Sequence, residues 1–232
     1  MASDDIQSKF YSETYSKIIS NGIVGFLQAR IHTLVEANLS EDSYQHVLEL
    51  GAGNLEHLKF ISFNFSSYLA TDIRFTTAEI SRLKESNPQI DLQRISLAML
   101  DAESPNLPSQ SFDLILATCV LIHLSSPENA LVSWRELTRP GGQIAIYVPA
   151  EPGLFLRFGR RLLIRPKHKK LGISNSDLLY AREHVTSFYV LNSLIREIFS
   201  DCRIETSYWP NPLLKSWNLN AAAVFTITLP MS

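Results

Sequence analysis

The chain has 232 residues, 45% hydrophobic and 19% charged, which suits one substantial domain with its own core and excludes a disordered chain. A formal net charge of −2 supplies no global attraction for nucleic acid, and no apolar stretch approaches the roughly 20 residues of a membrane-spanning helix. Two cysteines, Cys119 and Cys202, make neither a disulfide framework nor a zinc-ligand spacing. The acidic start Met1-Ala-Ser-Asp-Asp5 lacks the pattern of a signal peptide, so a reducing cytoplasm is the expected compartment.

Residues 1–45 read as a helical cover, with Ile18, Ile19, Val24, Phe26, Leu27, Ile31, Leu34 and Val35 recurring at spacings near 3.6. Two i,i+4 pairs lie within it: Tyr11 with Tyr15, in core packing or stacked near a bound cofactor, and His32 with Glu36, on the surface or on a helix that covers the cofactor. His46-Val-Leu-Glu-Leu50 is a short apolar run stopped by glycine, as in a buried parallel strand. Leu55, Leu58 and Ile61 beside Phe60 predict a helix, with His57 facing cofactor or solvent. The alternation then repeats: strand at Ser67–Thr71, helix from Thr76 to Ser86, strand from Leu92 to Leu97, strand at Phe112–Ala117, helix from Pro127 to about Leu137. Arg139-Pro-Gly-Gly142 is a turn signal, followed by a fifth strand, Gln143–Val148. Such alternation predicts βαβ units with right-handed crossovers. Residues 152–180 carry no strand pattern; Ser187–Phe199 reads as a helix, and Arg203–Tyr208 and Ala221–Leu229 as a closing antiparallel pair.

Glycines after a first strand let a ligand approach the backbone at the carboxyl edge of the sheet. The loop Gly51-Ala52-Gly53 lacks the third glycine of a dinucleotide fingerprint, and Glu49 and Glu56 flank it with negative charge. That charge disfavours a pyrophosphate and favours a sulfonium or an amino group. Asp72, 19 residues after Gly53 and at the next strand end, suits the two hydroxyls of a ribose. Asp101, after the third strand, suits an adenine amino group.

Val47-Leu-Glu-Leu-Gly-Ala-Gly53, Tyr68-Leu-Ala-Thr-Asp72, Asp101-Ala102, Ser111-Phe-Asp-Leu-Ile115 and Leu137-Thr-Arg-Pro-Gly-Gly142 together resemble the successive motifs of the class I S-adenosylmethionine-dependent methyltransferases, over roughly residues 44–150. The resemblance implies a Rossmann-like α/β fold: a seven-stranded, mostly parallel sheet with helices on both faces, an antiparallel last strand, N-terminal helices and a helical cap. It implies one domain, divided into an N-terminal cover at 1–45, a cofactor-binding core at 46–150, a basic cap at 151–185 and a closing helix and strands at 186–232. It further implies that Glu49, Gly51, Ala52 and Gly53 flank the methionine part of S-adenosyl-L-methionine. Asp72 would hold the ribose, Asp101 and Ala102 the adenine, and Thr118 and Cys119 the sulfur side. Asn54-Leu55 departs from the family, many of whose members carry a further glycine there.

Methyl transfer from a sulfonium is an in-line displacement in which the enzyme mainly aligns the nucleophile, and a hydroxyl acceptor needs a general base. His123, Glu151 and His184 are the candidates, each just past a strand or segment that should reach the same sheet edge; His46 and His168 carry little signal. Thr118-Cys-Val-Leu121 stands where enzymes that methylate exocyclic amino groups often carry Asn/Asp-Pro-Pro-aromatic, which tilts the reading towards oxygen acceptors.

Between Pro152 and Ser176 there is no acidic residue. Seven positive charges sit there, at Arg157, Arg160, Arg161, Arg165, Lys167, Lys169 and Lys170, leaving 14 basic against 23 acidic residues elsewhere. Interleaved apolar residues make the stretch amphipathic. A solvated cap, a site for a phosphate-bearing acceptor and peripheral contact with anionic lipid are its three readings. Pro149-Ala-Glu-Pro-Gly153, Ala181-Arg-Glu-His-Val185 and Trp217-Asn-Leu-Asn220 resemble, more loosely, bacterial methyltransferases of surface-polysaccharide synthesis, which implies sugar or lipid-linked acceptors. Two rival readings are an NAD(P)-dependent oxidoreductase and a non-catalytic methyltransferase-fold partner protein. The missing third glycine and acidic loop oppose the first; intact cofactor motifs oppose the second.

Overall fold

The computed structural model describes residues 22–88, 91, 93–170 and 176–231. Strands β1 (Ser43–Leu50), β2 (Asn64–Thr71), β3 (Ile95–Ala98), β4 (Phe112–Thr118), β5 (Thr138–Pro149), β6 (Arg203–Trp209) and β7 (Ala222–Thr228) form one sheet, in the order 3-2-1-4-5-7-6. The first five pair in parallel; β7 runs antiparallel to both β5 and β6. This is the expected Rossmann-like sheet with its antiparallel end.

Alternation along the central strands sends side chains to two cores. Leu48, Leu50, Ile115, Ala117, Ile144 and Ile146 face helices α3 (Pro127–Leu137) and α7 (Phe188–Ile198), which contribute Trp134 and Leu191 among others. Val47, Tyr68, Leu114 and Leu116 face the other way, against Ile31 and Val35 of α1 (Gly22–Ala37) and Leu83 of α2 (Thr77–Ser86). Two helix starts follow from hydroxyl caps: Thr76 accepts from Glu79 N at 3.3 Å and Ser187 from Val190 N at 3.4 Å.

Four expectations are corrected. β1 begins at Ser43, three residues inside the predicted N-terminal cover. The helix predicted from Leu55 to Ile61 is only a 3₁₀ turn, His57–Lys59. Leu55 enters it at φ +61°, outside the helical region, and the Glu36 carboxylate draws the chain away by accepting from Ser62 N (2.7 Å) and Oγ (2.9 Å). Arg139-Pro-Gly-Gly142 is an irregularity within β5 rather than a boundary before it: Thr138 pairs with Phe112, and the register then shifts so that Gln143 pairs with Leu114. The third strand starts at Ile95, three residues later than predicted. Tyr11, Tyr15, Ile18 and Ile19 lie outside the described residues.

Beyond β5 the chain runs through α4 (Leu154–Gly159), a π-helical stretch (Arg160–Ile164), α5 (Arg165–Lys170) and α6 (Ser176–Glu183) before α7. Two backbone bonds close this cap onto the carboxyl edge of the sheet: Val185 N to Ile122 O at 3.1 Å, and Phe188 N to Glu151 O at 2.8 Å.

Candidate active site

The strand order reverses between β1 and β4, where sheets of this kind open a crevice at their carboxyl ends. Both loops there turn through left-handed backbone. Gly51 has φ +70° and Cys119 φ +64°, and a Cβ on Gly51 would stand 2.7 Å from Val120 Cβ. Glycine therefore lets the β1 loop close against the β4 loop. Ala52 N donates to Thr71 O at 2.8 Å, tying the loop to β2, and Gly53 N donates to Asp72 Oδ2 at 3.0 Å.

Glu49 is fully buried beneath this loop. Tyr68 Oη donates to its Oε2 at 2.8 Å, while Oε1 has no hydrogen-bond partner among the described residues. Burial raises its pKa, opposed by nearby His57. A buried acceptor with a lone pair to spare, beside a cradle that any side chain would fill, fits the ammonium and sulfonium end of S-adenosylmethionine.

Asp72 holds a lowered pKa despite its burial, because Arg74 and backbone N–H groups stabilise the carboxylate. Arg74 donates from N (2.9 Å) and Nε (3.0 Å) to Oδ1, and from Nη2 (3.3 Å) to Oδ2. Ribose hydroxyls at Asp72 would have to share its lone pairs with a guanidinium, a competitor that sequence reasoning did not include although it lies two residues on. Asp101 is exposed and accepts Glu103 N at 2.9 Å; Ala102 is buried, and its carbonyl accepts Trp134 Nε1 at 2.8 Å. Glu56 pairs with Lys59 at 2.7 Å, so its charge beside the loop is partly answered.

The His32–Glu36 pair is not on the surface. Glu36 is buried, His57 Nε2 lies 3.0 Å from its Oε1, and His57 Nδ1 meets His32 Nδ1 at 2.9 Å. His57 is 1% exposed, so it does not face solvent. Burial, with His57 and Lys59 near, lowers the pKa of His32 to about 3. The spacing paired His32 with Glu36 but could not bring His57 to them, because that contact joins α1 to the turn after the glycine loop.

His123, Glu151 and His184 come together where the cap closes onto the carboxyl ends of β4 and β5. His184 Nδ1 and both terminal nitrogens of Arg160 bond the Glu151 carboxylate, the second arginine contact at 2.9 Å. Because a carboxylate only accepts, His184 Nδ1 carries the proton and Nε2 is left as an acceptor. The His123 ring stands 5.0 Å from that of His184, nearly perpendicular, and its Nδ1 donates to Glu183 O at 2.8 Å. Burial, and a proton on His184 whenever it carries a second one, lower the pKa of His123. Glu151 is held at about 2 against its burial by His184 and Arg160. Arg160 also lies 3.9 Å over the Tyr180 ring. Arg160 and Tyr180 were missed: seven basic residues look alike in sequence, although Tyr180 at i−4 from His184 was a usable signal. Thr118 ends β4 opposite Tyr147. Cys119 is a free thiol whose pKa burial raises to about 12, which disfavours its thiolate.

Residues 48–146 match the family described as "Methyltransferase domain". Among characterised proteins, the chain is 33% identical over 70 residues to the aklanonic acid methyltransferase DauC of Streptomyces sp. (strain C5), covering 30% of this chain and 32% of that one. It is 26% identical over 151 residues to the hybrid PKS-NRPS synthetase poxE of Penicillium oxalicum, covering 63% of this chain and 4% of that one. The chain thus spans about a third of the first relative and a small fraction of the second. The solved structure of the N-methyltransferase NodS from Bradyrhizobium japonicum WM9, in complex with S-adenosyl-l-homocysteine, superposes over 98% of this chain and 97% of its own with a TM-score of 0.62 at 14% identity. Residues 48–146 thus match a methyltransferase domain, and the chain has the Rossmann-like methyltransferase fold.

Proposed function

We propose that the protein transfers the methyl group of S-adenosylmethionine to an oxygen of a small-molecule or carbohydrate-type acceptor, with His184 as general base. The observation that carries this reading is the Glu151–His184 pair where the cap closes onto the sheet, locked by Arg160. When bound, the sulfonium supplies an already activated methyl group. The residues of this chain do the rest. Glu49 and the glycine loop hold the amino-acid end, Asp72 orients the ribose, and Asp101 with Ala102 bounds the adenine. His184 Nε2 takes the acceptor's proton, and the Glu151 carboxylate stabilises the imidazolium that results. His123, with Nε2 also free to accept, orients the acceptor beside it.

An oxygen-bearing small molecule accords with the name of the relative DauC, whose acceptor is an acid. Arg160 does not favour a phosphate on the acceptor, since Glu151 occupies its planar fork. The decisive experiment is calorimetric titration with S-adenosylhomocysteine beside a turnover assay on the acceptor. Glu49→Ala and Asp72→Ala should abolish cofactor binding. His184→Ala should leave it intact and slow turnover by about 10² to 10⁴, the usual worth of a general base. Full turnover in His184→Ala would overturn the base assignment. Intact binding without turnover on any acceptor would favour the non-catalytic partner, and a melting shift with NAD alone would favour the oxidoreductase.

A further inference from the structure

The cap turns its apolar side chains and its charge towards solvent together. Leu154, Phe158 and Leu162, four residues apart, are 60%, 65% and 56% exposed, and Phe155 widens the row. Arg157 and Arg161 lie one position before two of them and are exposed, as are Lys169 and Lys170 further along. Among the described residues these four cations form no ion pair. The opposite side of the segment does the anchoring. Arg160 grips Glu151, Gly153 is buried against Trp217, and His168, 1% exposed, stacks on Tyr180 with ring centres 5.9 Å apart. Leu154 N also donates to Asn218 Oδ1 at 2.8 Å, which joins the row to exposed Leu219.

A helix that packs on its own protein buries its apolar stripe and exposes its charges. Here the stripe is left outside although the inner face is fixed. Its chemistry selects an occupant: phenylalanine and leucine between arginines and lysines, with no acidic residue from 152 to 176 and a net of −9 on the rest of the chain. An anionic lipid surface answers both halves, and the acidic remainder would be repelled from it, which sets the orientation. We propose that the outward face of residues 154–170 docks on bilayers containing anionic lipid, with Leu154, Phe158 and Leu162 at the acyl boundary and the arginines among the headgroups. That docking would bring the Glu151–His184 pair to a membrane-held acceptor rests on the function proposed above; the docking itself does not.

The test is flotation of the purified full chain with vesicles of phosphatidylcholine alone or mixed with phosphatidylglycerol, beside calorimetry with S-adenosylhomocysteine. The chain should float with the mixed vesicles, not with phosphatidylcholine alone, and should be released by salt. Phe158→Glu with Leu162→Glu should abolish flotation. Arg157→Ala and Arg161→Ala should each weaken binding about fivefold, the factor for one charge at an anionic surface, while Lys84→Glu on α2 should have no effect. Normal cofactor binding in all variants would establish that they fold. No flotation, or equal flotation with both vesicle types, overturns the inference while leaving the methyl-transfer reading standing. So does a concentration-dependent dimer that Phe158→Glu dissolves, because a second copy then covers the row.

Discussion

At Gly51, φ +70° and the 2.7 Å approach to Val120 leave no room for a side chain, whereas at Gly53, φ +54°, the nearest atom to a Cβ is the movable Arg74 Nη2 at 3.5 Å. Gly51→Ala should therefore abolish binding of S-adenosylhomocysteine and lower the melting temperature. Gly53→Ala should cost only the left-handed backbone penalty of about 1–2 kcal/mol; equal losses in the two variants would refute this account of the loop. Asp72 carries a second consequence. The Arg74 guanidinium takes a lone pair on each of its oxygens, so Arg74→Ala should tighten cofactor binding severalfold, measured by calorimetry, and a weaker complex would mean that Arg74 positions the carboxylate instead.

Among the elements, α3 touches the expected adenine loop directly. Its fully buried Trp134 donates to Ala102 O, so one helix side chain sets the loop expected at the adenine. Trp134→Phe removes the donor and leaves a buried carbonyl unpaired. The expected loss is about 1–3 kcal/mol of stability, with weaker cofactor binding; denaturant unfolding and calorimetry would check both, and unchanged affinity would separate helix from site. The segment after the glycine loop illustrates the opposite case. Its leucines spell a helix, yet the Glu36 carboxylate on α1 captures Ser62 and leaves one 3₁₀ turn. Spacing reports which residues are apolar, not which distant carboxylate will claim a backbone N–H.

For the molecule as a whole, pH acts through the same cluster. His32 titrates at about 3 in the fold, below its ordinary 6.5. As pH falls below 6.5 the unfolded chain takes that proton first, so this residue's contribution to stability drops down to about 3, at a slope of at most about 1.4 kcal/mol per pH unit. Glu151 adds a second loss at lower pH: its folded value of about 2 lies below the ordinary 4.5, so its stabilisation is complete above 4.5 and disappears towards 2. Urea unfolding of the parent and His32→Asn between pH 7 and pH 5 should give a shallower pH dependence for the variant; parallel curves would assign the acid sensitivity elsewhere.

The succession of strands along the chain, the glycine loop and Asp72 and Asp101 after successive strands were legible in the chain, because period-two burial, glycine conformation and carboxylate position are local properties. So was the approximate place of His123, Glu151 and His184. Only the tertiary structure decided that His184 and Arg160 meet on one carboxylate, 33 and 9 residues from Glu151. It alone put His32, Glu36 and His57 in one buried cluster and turned the apolar row of the cap outward. These outcomes depend on which elements come to lie against one another, and no periodicity or spacing within a single segment encodes that.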